Sequence, residues 1–259
     1  TGDRIQDRPL AEVGGKGLFT KELEDALLAG QIDIAVHSMK DMPTVLPDGL
    51  VIDGLLPRED PRDALIGGVD TVAALPQGAI VGTSSLRRQA QLLSLRPDLR
   101  VVSLRGNVDT RLRKVADGTV AATLLAVAGL RRIGREGEGK PISPDEILPA
   151  VAQGAIGIER RAGDDETAAL LAPLNHAETA ARVTAERAML AVLDGSCRTP
   201  IAGLAEILPN GALSFRGAVY ATDGSAAWTT SRQGSAADAA RIGADAGEEL
   251  RARAAKVLN

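Results

Sequence analysis

Ala79-Ile80-Val81-Gly82-Thr83-Ser84-Ser85-Leu86-Arg87-Arg88 is the stretch that decides the fold. Its first four residues are small or apolar and read as a short buried strand over 79–82. Thr83-Ser84-Ser85 then supplies side-chain oxygens that can cap a helix, and Leu86, Ala90 and Leu93 recur at helical spacing beyond them. A strand running directly into a capped helix is the repeating unit of an α/β sheet. The free N–H groups at such a helix start, beside three hydroxyls and two arginines, also form a ready site for an anion.

Downstream the unit repeats. Arg100–Leu104 reads as a strand, and Arg105-Gly106-Asn107 leads into a helix carrying Arg111 and Arg113. Between Arg87 and Arg113 there are seven arginines, opposed only by Asp98 and Asp109. Arg96, Arg100 and Arg113 are expected to be surface charges or ion pairs. Arg87, Arg88, Arg105 and Arg111 cluster at helix starts, where the planar guanidinium suits bidentate recognition of carboxylates. The expected ligand is therefore small and polyanionic. A strand over 121–126, a short helix over 127–132 and a loop over 134–144 follow. The segment 155–159 then reads as a strand returning to an earlier domain.

Upstream, Pro57-Arg58-Glu59-Asp60-Pro61-Arg62-Asp63 is a charged, proline-bounded crossover that marks a domain boundary. Before it, Leu50–Leu56 forms a strand. Ile32, Ile34 and Val36 alternate as a strand that ends in the polar turn His37-Ser38-Met39-Lys40-Asp41-Met42-Pro43. The carboxyl end of a strand is where open α/β sheets place their chemistry. Phe19, Leu23 and Leu27 line a helix over 18–29 that stops at Gly30. Gly14-Gly15-Lys16-Gly17-Leu18-Phe19 lacks P-loop spacing, but its glycines can bring an ammonium close to a ligand. Two strands and one helix make too small a sheet to stand alone, so a strand-helix-strand segment is expected upstream.

Two helices, over 167–172 and 178–193, lead to Leu193-Asp194-Gly195-Ser196-Cys197-Arg198-Thr199-Pro200, which holds the single cysteine of the chain. Strands over 201–207, 212–221 and 226–232 then form a small antiparallel sheet, with turns at Pro209-Asn210-Gly211 and Asp223-Gly224, and a helix over 236–257 closes the chain. One cysteine forms no internal disulfide. Cys197 is either a small structural hydrophobe or a thiolate nucleophile or attachment point, favoured by Arg198 and the adjoining helix terminus.

Composition bounds the function. With 259 residues, 44% hydrophobic and 25% charged, the chain can bury a substantial core in two or three domains. No apolar run approaches the ~18 residues of a membrane span, and no signal peptide opens the sequence; with one cysteine and no disulfide framework, a cytoplasmic setting is expected. A net charge of -4 and 2% aromatic residues argue against stacking on single-stranded nucleic acid. The two histidines, His37 and His176, fall in no zinc-ligand spacing.

Five segments carry a resemblance that runs in order along the chain: Gly14–Phe19; Asp33-Ile34-Ala35-Val36-His37-Ser38-Met39-Lys40-Asp41; Val81-Gly82-Thr83-Ser84-Ser85-Leu86-Arg87-Arg88-Gln89; Ser103-Leu104-Arg105-Gly106-Asn107; and Leu148-Pro149-Ala150-Val151-Ala152-Gln153-Gly154. Together they resemble the porphobilinogen deaminase (hydroxymethylbilane synthase) family. The resemblance implies two hinged α/β domains like type II periplasmic binding proteins, over 1–56 with 155–173 and over 61–150. A small α+β C-terminal domain with a three-stranded antiparallel sheet, over 177–259, would carry the cofactor.

It further implies a transferase of tetrapyrrole biosynthesis that joins four porphobilinogen molecules head to tail into hydroxymethylbilane and releases ammonia. A dipyrromethane cofactor would be held by a thioether to Cys197, with Ser38, Lys40, Thr83, Ser84, Ser85, Arg87, Arg88, Arg105 and Gly106 around it. Lys16, Phe19, Arg111, Arg132 and Gln153 would bind substrate. Asp41 matches the catalytic aspartate, which stabilises the cationic azafulvene left when ammonia departs. The implied protein is a cytoplasmic monomer that hands its product to uroporphyrinogen III synthase, with no nucleic acid, membrane or metal involved. Two other classes compete on residue types alone: a hinged anion-binding module without catalysis, and a cysteine hydrolase built on Cys197 and His37.

Overall fold

The computed structural model describes residues 20–194 and 199–258. Helix α1 (Lys21–Leu28) ends at Gly30, whose φ of 68° is the left-handed conformation that glycine adopts without strain. Strands β1 (Ala35–Ser38), β2 (Leu50–Leu55) and β8 (Ile156–Arg161) form a first sheet in the order β1-β8-β2, antiparallel throughout. The returning strand thus lies between the two that precede the crossover.

β1 differs from its expected facing. Ala35 and His37 are the buried residues, while Ile34 and Val36 are 40% and 58% exposed. The apolar alternation was legible, but the face turned inward is the one that lets His37 meet Glu159. Leu23, expected on the buried face of α1, is likewise exposed, and Leu27 and Glu24 are the buried residues of that helix.

The second sheet has the order β5-β4-β6-β3-β7. Strand β4 (Ile80–Gly82) pairs in parallel with β5 (Arg100–Val102) and β6 (Ala122–Ala126). Strand β3 (Asp63–Ile66) runs antiparallel to β6 and to β7 (Lys140–Pro141). The last two strands were not expected: β3 is only four residues long behind a charged run, and β7 is a two-residue pairing inside a loop. Between the strands lie α2 (Leu86–Leu95), α3 (Val108–Ala116) and α4 (Val127–Arg132). Leu65, Val81, Leu92, Ala122, Leu124 and Ile147 fill the core of this lobe.

Helices α5 (Asp165–Leu171) and α6 (Ala177–Val192) lead to a third sheet of β9 (Ile201–Ile207), β10 (Ala212–Tyr220) and β11 (Ala227–Ser235). It is an antiparallel meander with β10 in the middle, packed under α6 and α7 (Ala239–Arg253). The core formed by Phe215, Leu213, Met189 and Leu250 continues into Met39, Met42 and Val151, so the third unit shares its interior with the turn after β1. The molecule is thus α/β, with two lobes joined by two chain crossings and an α+β C-terminal unit. No helix among the described residues is long and apolar enough to cross a membrane.

Candidate active site

The two crossings between the lobes run side by side, with Glu59 N–H donating to Gly154 O at 3.2 Å and Leu56 N–H to Ile156 O at 3.1 Å. On the first lobe the site begins at the 3-10 turn Met39–Asp41 that follows β1. Its apolar residues anchor it: Met39 and Met42 are 3% and 1% exposed. Arg187 of α6 donates to Met42 O at 3.3 Å and also to Pro43 O, which fixes the far side of the turn. Ser38 is half-buried, and Lys40 and Asp41 are the polar residues the turn leaves exposed.

The second lobe contributes its two strand-to-helix junctions. Ser85 caps α2 by accepting from Arg88 N–H at 3.4 Å, and Asn107 caps α3 by accepting from Thr110 N–H at 2.9 Å. Thr83 is buried, with its hydroxyl accepting from Ser85 N–H at 3.1 Å. Ser84 is exposed and spans the junctions, lying 3.1 Å from Ser103 Oγ and donating to Leu104 O at 3.0 Å. Gly106 takes a φ of 118°, and Arg111 Nε donates to its carbonyl at 2.9 Å, so the second turn aims the guanidinium. Arg105 is half-buried beside it.

Arg87 and Arg88 lie deeper than a helix start alone predicts, because the interior holds an acceptor for them. Arg87 Nη2 is 2.8 Å from Asp63 Oδ2, and Arg88 Nη2 is 2.7 Å from Asp63 Oδ1. Among the described residues Arg87 also donates to Leu148 O and Arg88 to Leu124 O, each at 2.8 Å. Burial alone would raise the Asp63 carboxyl, but Arg87, Arg88 and the hydrogen bonds of Arg88 and Gln153 hold it well below the usual carboxylate range. The buried face of α2 is thus Arg87, Arg88, Ala90, Gln91 and Leu92, with Leu86 and Leu93 only half-buried.

The two lobes meet electrostatically at Arg88. Lys40 is held below its ordinary value, first by the crowding walls of the cleft and next by Arg88, with Asp41 and Asp63 opposing. Solvent reaches the Lys40 side chain by area, yet the protein packed around it limits hydration of its ammonium. Arg111 is lowered for the same two reasons, burial and Arg88. Four cationic side chains, Lys40, Arg87, Arg88 and Arg111, thus feel one another across the cleft, against Asp41 and Asp63. Such a cleft has capacity for further negative charge.

Of the other expected residues, Arg132 Nη2 donates to Gly154 O at 2.8 Å on the second crossing. Gln153 is buried and donates to Pro61 O at 2.8 Å and to Asp63 Oδ1 at 2.9 Å, so its amide serves the crossings. Lys16, Phe19 and Cys197 lie outside the described residues, as do the Gly14–Phe19 segment and most of the cysteine loop. The described residues stop at Asp194, two residues beyond α6, and resume at Thr199, ahead of β9. His37 is engaged inside the first lobe, with Nε2 2.8 Å from Glu159 Oε2 and both side chains buried. Asp63, Gln91, Glu186 and Arg187 were missed by sequence reasoning. An Asp directly ahead of the apolar run Ala64-Leu65-Ile66 was the one signal available for Asp63.

Comparison with known proteins matches this architecture to one family. Residues 1–169 match the family description "Porphobilinogen deaminase, dipyromethane cofactor binding domain", and residues 180–252 match "Porphobilinogen deaminase, C-terminal domain". A porphobilinogen deaminase of Paracoccus denitrificans (strain Pd 1222) is 60% identical over 256 residues, covering 98% of this chain and 82% of that one. One from Nitrobacter winogradskyi is 56% identical over 257 residues, covering 98% and 81%. The chain belongs to the porphobilinogen deaminase family.

A weaker likeness, to the periplasmic aliphatic sulphonate binding protein SsuA from Escherichia coli (TM-score 0.40, 16% identity, 66% of this chain and 56% of that one), is too slight to bear on the site. The residues present fit the dipyrromethane group for which the family's domain is named. Its carboxylate arms are the anions that a cluster of Lys40, Arg88 and Arg111 calls for, Lys40 and Arg111 both being lowered by burial and by Arg88.

Proposed function

We propose that this chain joins four porphobilinogen molecules head to tail into hydroxymethylbilane, with release of ammonia, and that it does so in the cleft between Asp41 and Arg88. The observation that carries the reading is the turn Met39–Asp41, which is pinned from below and presents one carboxylate opposite an under-neutralised group of cations. The dipyrromethane group, held through Cys197, supplies the pyrrole terminus on which the chain grows. Arg88, Arg105, Arg111 and Lys40, with Arg87, Thr83, Ser84, Ser85, Ser38 and Gly106, hold carboxylate arms. Arg132, Lys16 and Phe19 shape the substrate side, and Gln153 serves the crossings.

Asp41 acts at the pyrrole nitrogens. A fixed carboxylate there lowers the energy of the positive charge that develops as ammonia leaves, and it accepts and returns the pyrrole proton. Because the turn is already anchored by Met39, Met42 and Arg187, little reorganisation accompanies the charge. The three sheets support domains over 1–56 with 155–173, over 61–150 and over 177–259, with the first two closing about the paired crossings. The protein works as a cytoplasmic monomer that hands its linear product to uroporphyrinogen III synthase.

The decisive experiment is an intact mass of the purified full-length protein beside Cys197→Ser. Wild type heavier by two porphobilinogen units less two ammonia, with the variant at bare chain mass, is expected. Bare mass in wild type after incubation with porphobilinogen overturns the reading and favours a reversible anion-binding module.

A further inference from the structure

We infer that Asp63 is a positioning residue for the arginines of this cleft, acting through Arg87 and Arg88 and tied by Gln153 to both chain crossings. The inference rests on the proposed role of those arginines in holding carboxylates. Asp63 Oδ1 accepts from Arg88 Nε at 3.2 Å, from Arg88 Nη2 at 2.7 Å and from Gln153 Nε2 at 2.9 Å, while Oδ2 faces Arg87 Nη2 at 2.8 Å. Its side chain is wholly excluded from solvent. One buried carboxylate therefore sets the orientation of two guanidiniums that would otherwise repel each other.

What remains of the two arginines is directed elsewhere. A guanidinium has five N–H groups. Hydrogen bonds to described residues use Nε, one Nη1 and one Nη2 hydrogen of Arg88 and one Nη1 hydrogen of Arg87, whose Nη2 meets Asp63 Oδ2 as an ion pair. In the proposed role the others meet a ligand carboxylate, and the field of Arg88 reaches Lys40 and Arg111.

The link to the crossings gives the arrangement a direction. Asp63 opens β3 at the end of the first crossing. Gln153 stands on the second crossing, where its carbonyl accepts from Arg58 Nε at 2.9 Å and its side chain also donates to Pro61 O at 2.8 Å. Asp63 and the guanidiniums it holds thus stand directly against the paired crossings.

The test uses the full-length protein with Asp63→Asn, Asp63→Glu and Arg88→Gln. Each apoprotein is incubated with porphobilinogen at the same interval below its own Tm, and the cofactor-loaded fraction is read by intact mass. Positioning predicts at least a ten-fold slower loading for Asp63→Asn, with partial rescue in Asp63→Glu, which keeps the charge on a longer arm. A purely structural role lowers Tm but leaves loading at matched intervals equal to wild type, and that result overturns the inference.

Should Asp63→Asn not fold, Asp63→Glu carries the test: a three-fold or greater loss is expected, and wild-type loading refutes it. Arg88→Gln separates the two levels. Slow loading there, with wild-type loading in the Asp63 variants, overturns positioning alone; wild-type loading in Arg88→Gln removes the carboxylate-holding role and the inference with it.

Discussion

Arg58 and Glu186 meet as a buried ion pair between the first chain crossing and the middle of α6, with Nη1 2.6 Å from Oε1 and side chains 2% and 0% exposed. Glu186 also accepts from Ala152 N–H at 2.6 Å and Ala205 N–H at 2.7 Å, so one carboxylate ties both crossings to β9. Removing one partner of a buried pair strands the other charge and costs about 3–5 kcal/mol. Glu186→Gln is expected to lose stability on this scale in urea unfolding. Glu186→Leu should lose more, because two backbone N–H groups are then unpaired as well. Stability of either variant within 1 kcal/mol of wild type would contradict this account.

Asp41→Ala should abolish nearly all turnover while leaving the cofactor attached. The residue sits exposed at the end of a turn whose shape depends on Met39, Met42 and Arg187, not on its own carboxylate. Intact mass and Tm are therefore expected to match wild type, and a rate measured with porphobilinogen to fall by orders of magnitude. Near-normal turnover would exclude the role.

Glycine at 243 permits the close crossing of α7 over α6: a Cβ there would run into the carbonyl oxygen of Ala185. Gly247 is held more loosely by Val192 and by Met189 O at 3.0 Å. Gly243→Ala must push the helices apart over a core that includes Met189 and Leu250, and overpacking of this kind typically costs about 1–3 kcal/mol. The third unit should lose stability with little change in KM, as read by thermal unfolding alongside kinetics. An unchanged Tm would mean that the helices yield freely.

The parts of this molecule that were legible in its sequence are those fixed by neighbours along the chain. The Thr83-Ser84-Ser85 junction, the entry to α3 at Arg105-Gly106-Asn107, the turn after β1 and the hairpins of the third sheet each depend on a few consecutive residues. Arg96, expected as a surface charge or an ion pair, meets Asp98 two residues on at 2.7 Å. What escaped is held by distant partners: Asp63 meets Arg88 across 25 residues and Gln153 across 90, and Arg58 meets Glu186 across 128. Periodicity reports that a residue is charged, and only the fold reports that a charge of opposite sign waits in the interior. This is why α2 buries two arginines that its pattern places at the mouth of the site, and why β1 turns His37 inward.

Lys40 provides the pH-dependent prediction. Its ammonium is held below the ordinary 10.5, by desolvation first and by Arg88 second. A depressed lysine is charged below its folded pKa and neutral above it, so its grip on a carboxylate is lost as pH rises through a value below 10.5. The affinity for porphobilinogen, read as 1/KM, should accordingly fall on the alkaline side earlier than an ordinary lysine would allow. Lys40→Arg should move that limb to higher pH, because a guanidinium does not titrate there. The same shift opposes folding of the empty protein: charging Lys40 is harder in the folded than in the unfolded chain, so the penalty is present at neutral pH and disappears as pH rises toward 10.5. Lys40→Met should therefore raise the Tm of the unloaded protein at neutral pH while weakening its hold on substrate. A Tm that falls in Lys40→Met, or an alkaline limb that stays in place in Lys40→Arg, would show that the cation cluster does not govern Lys40.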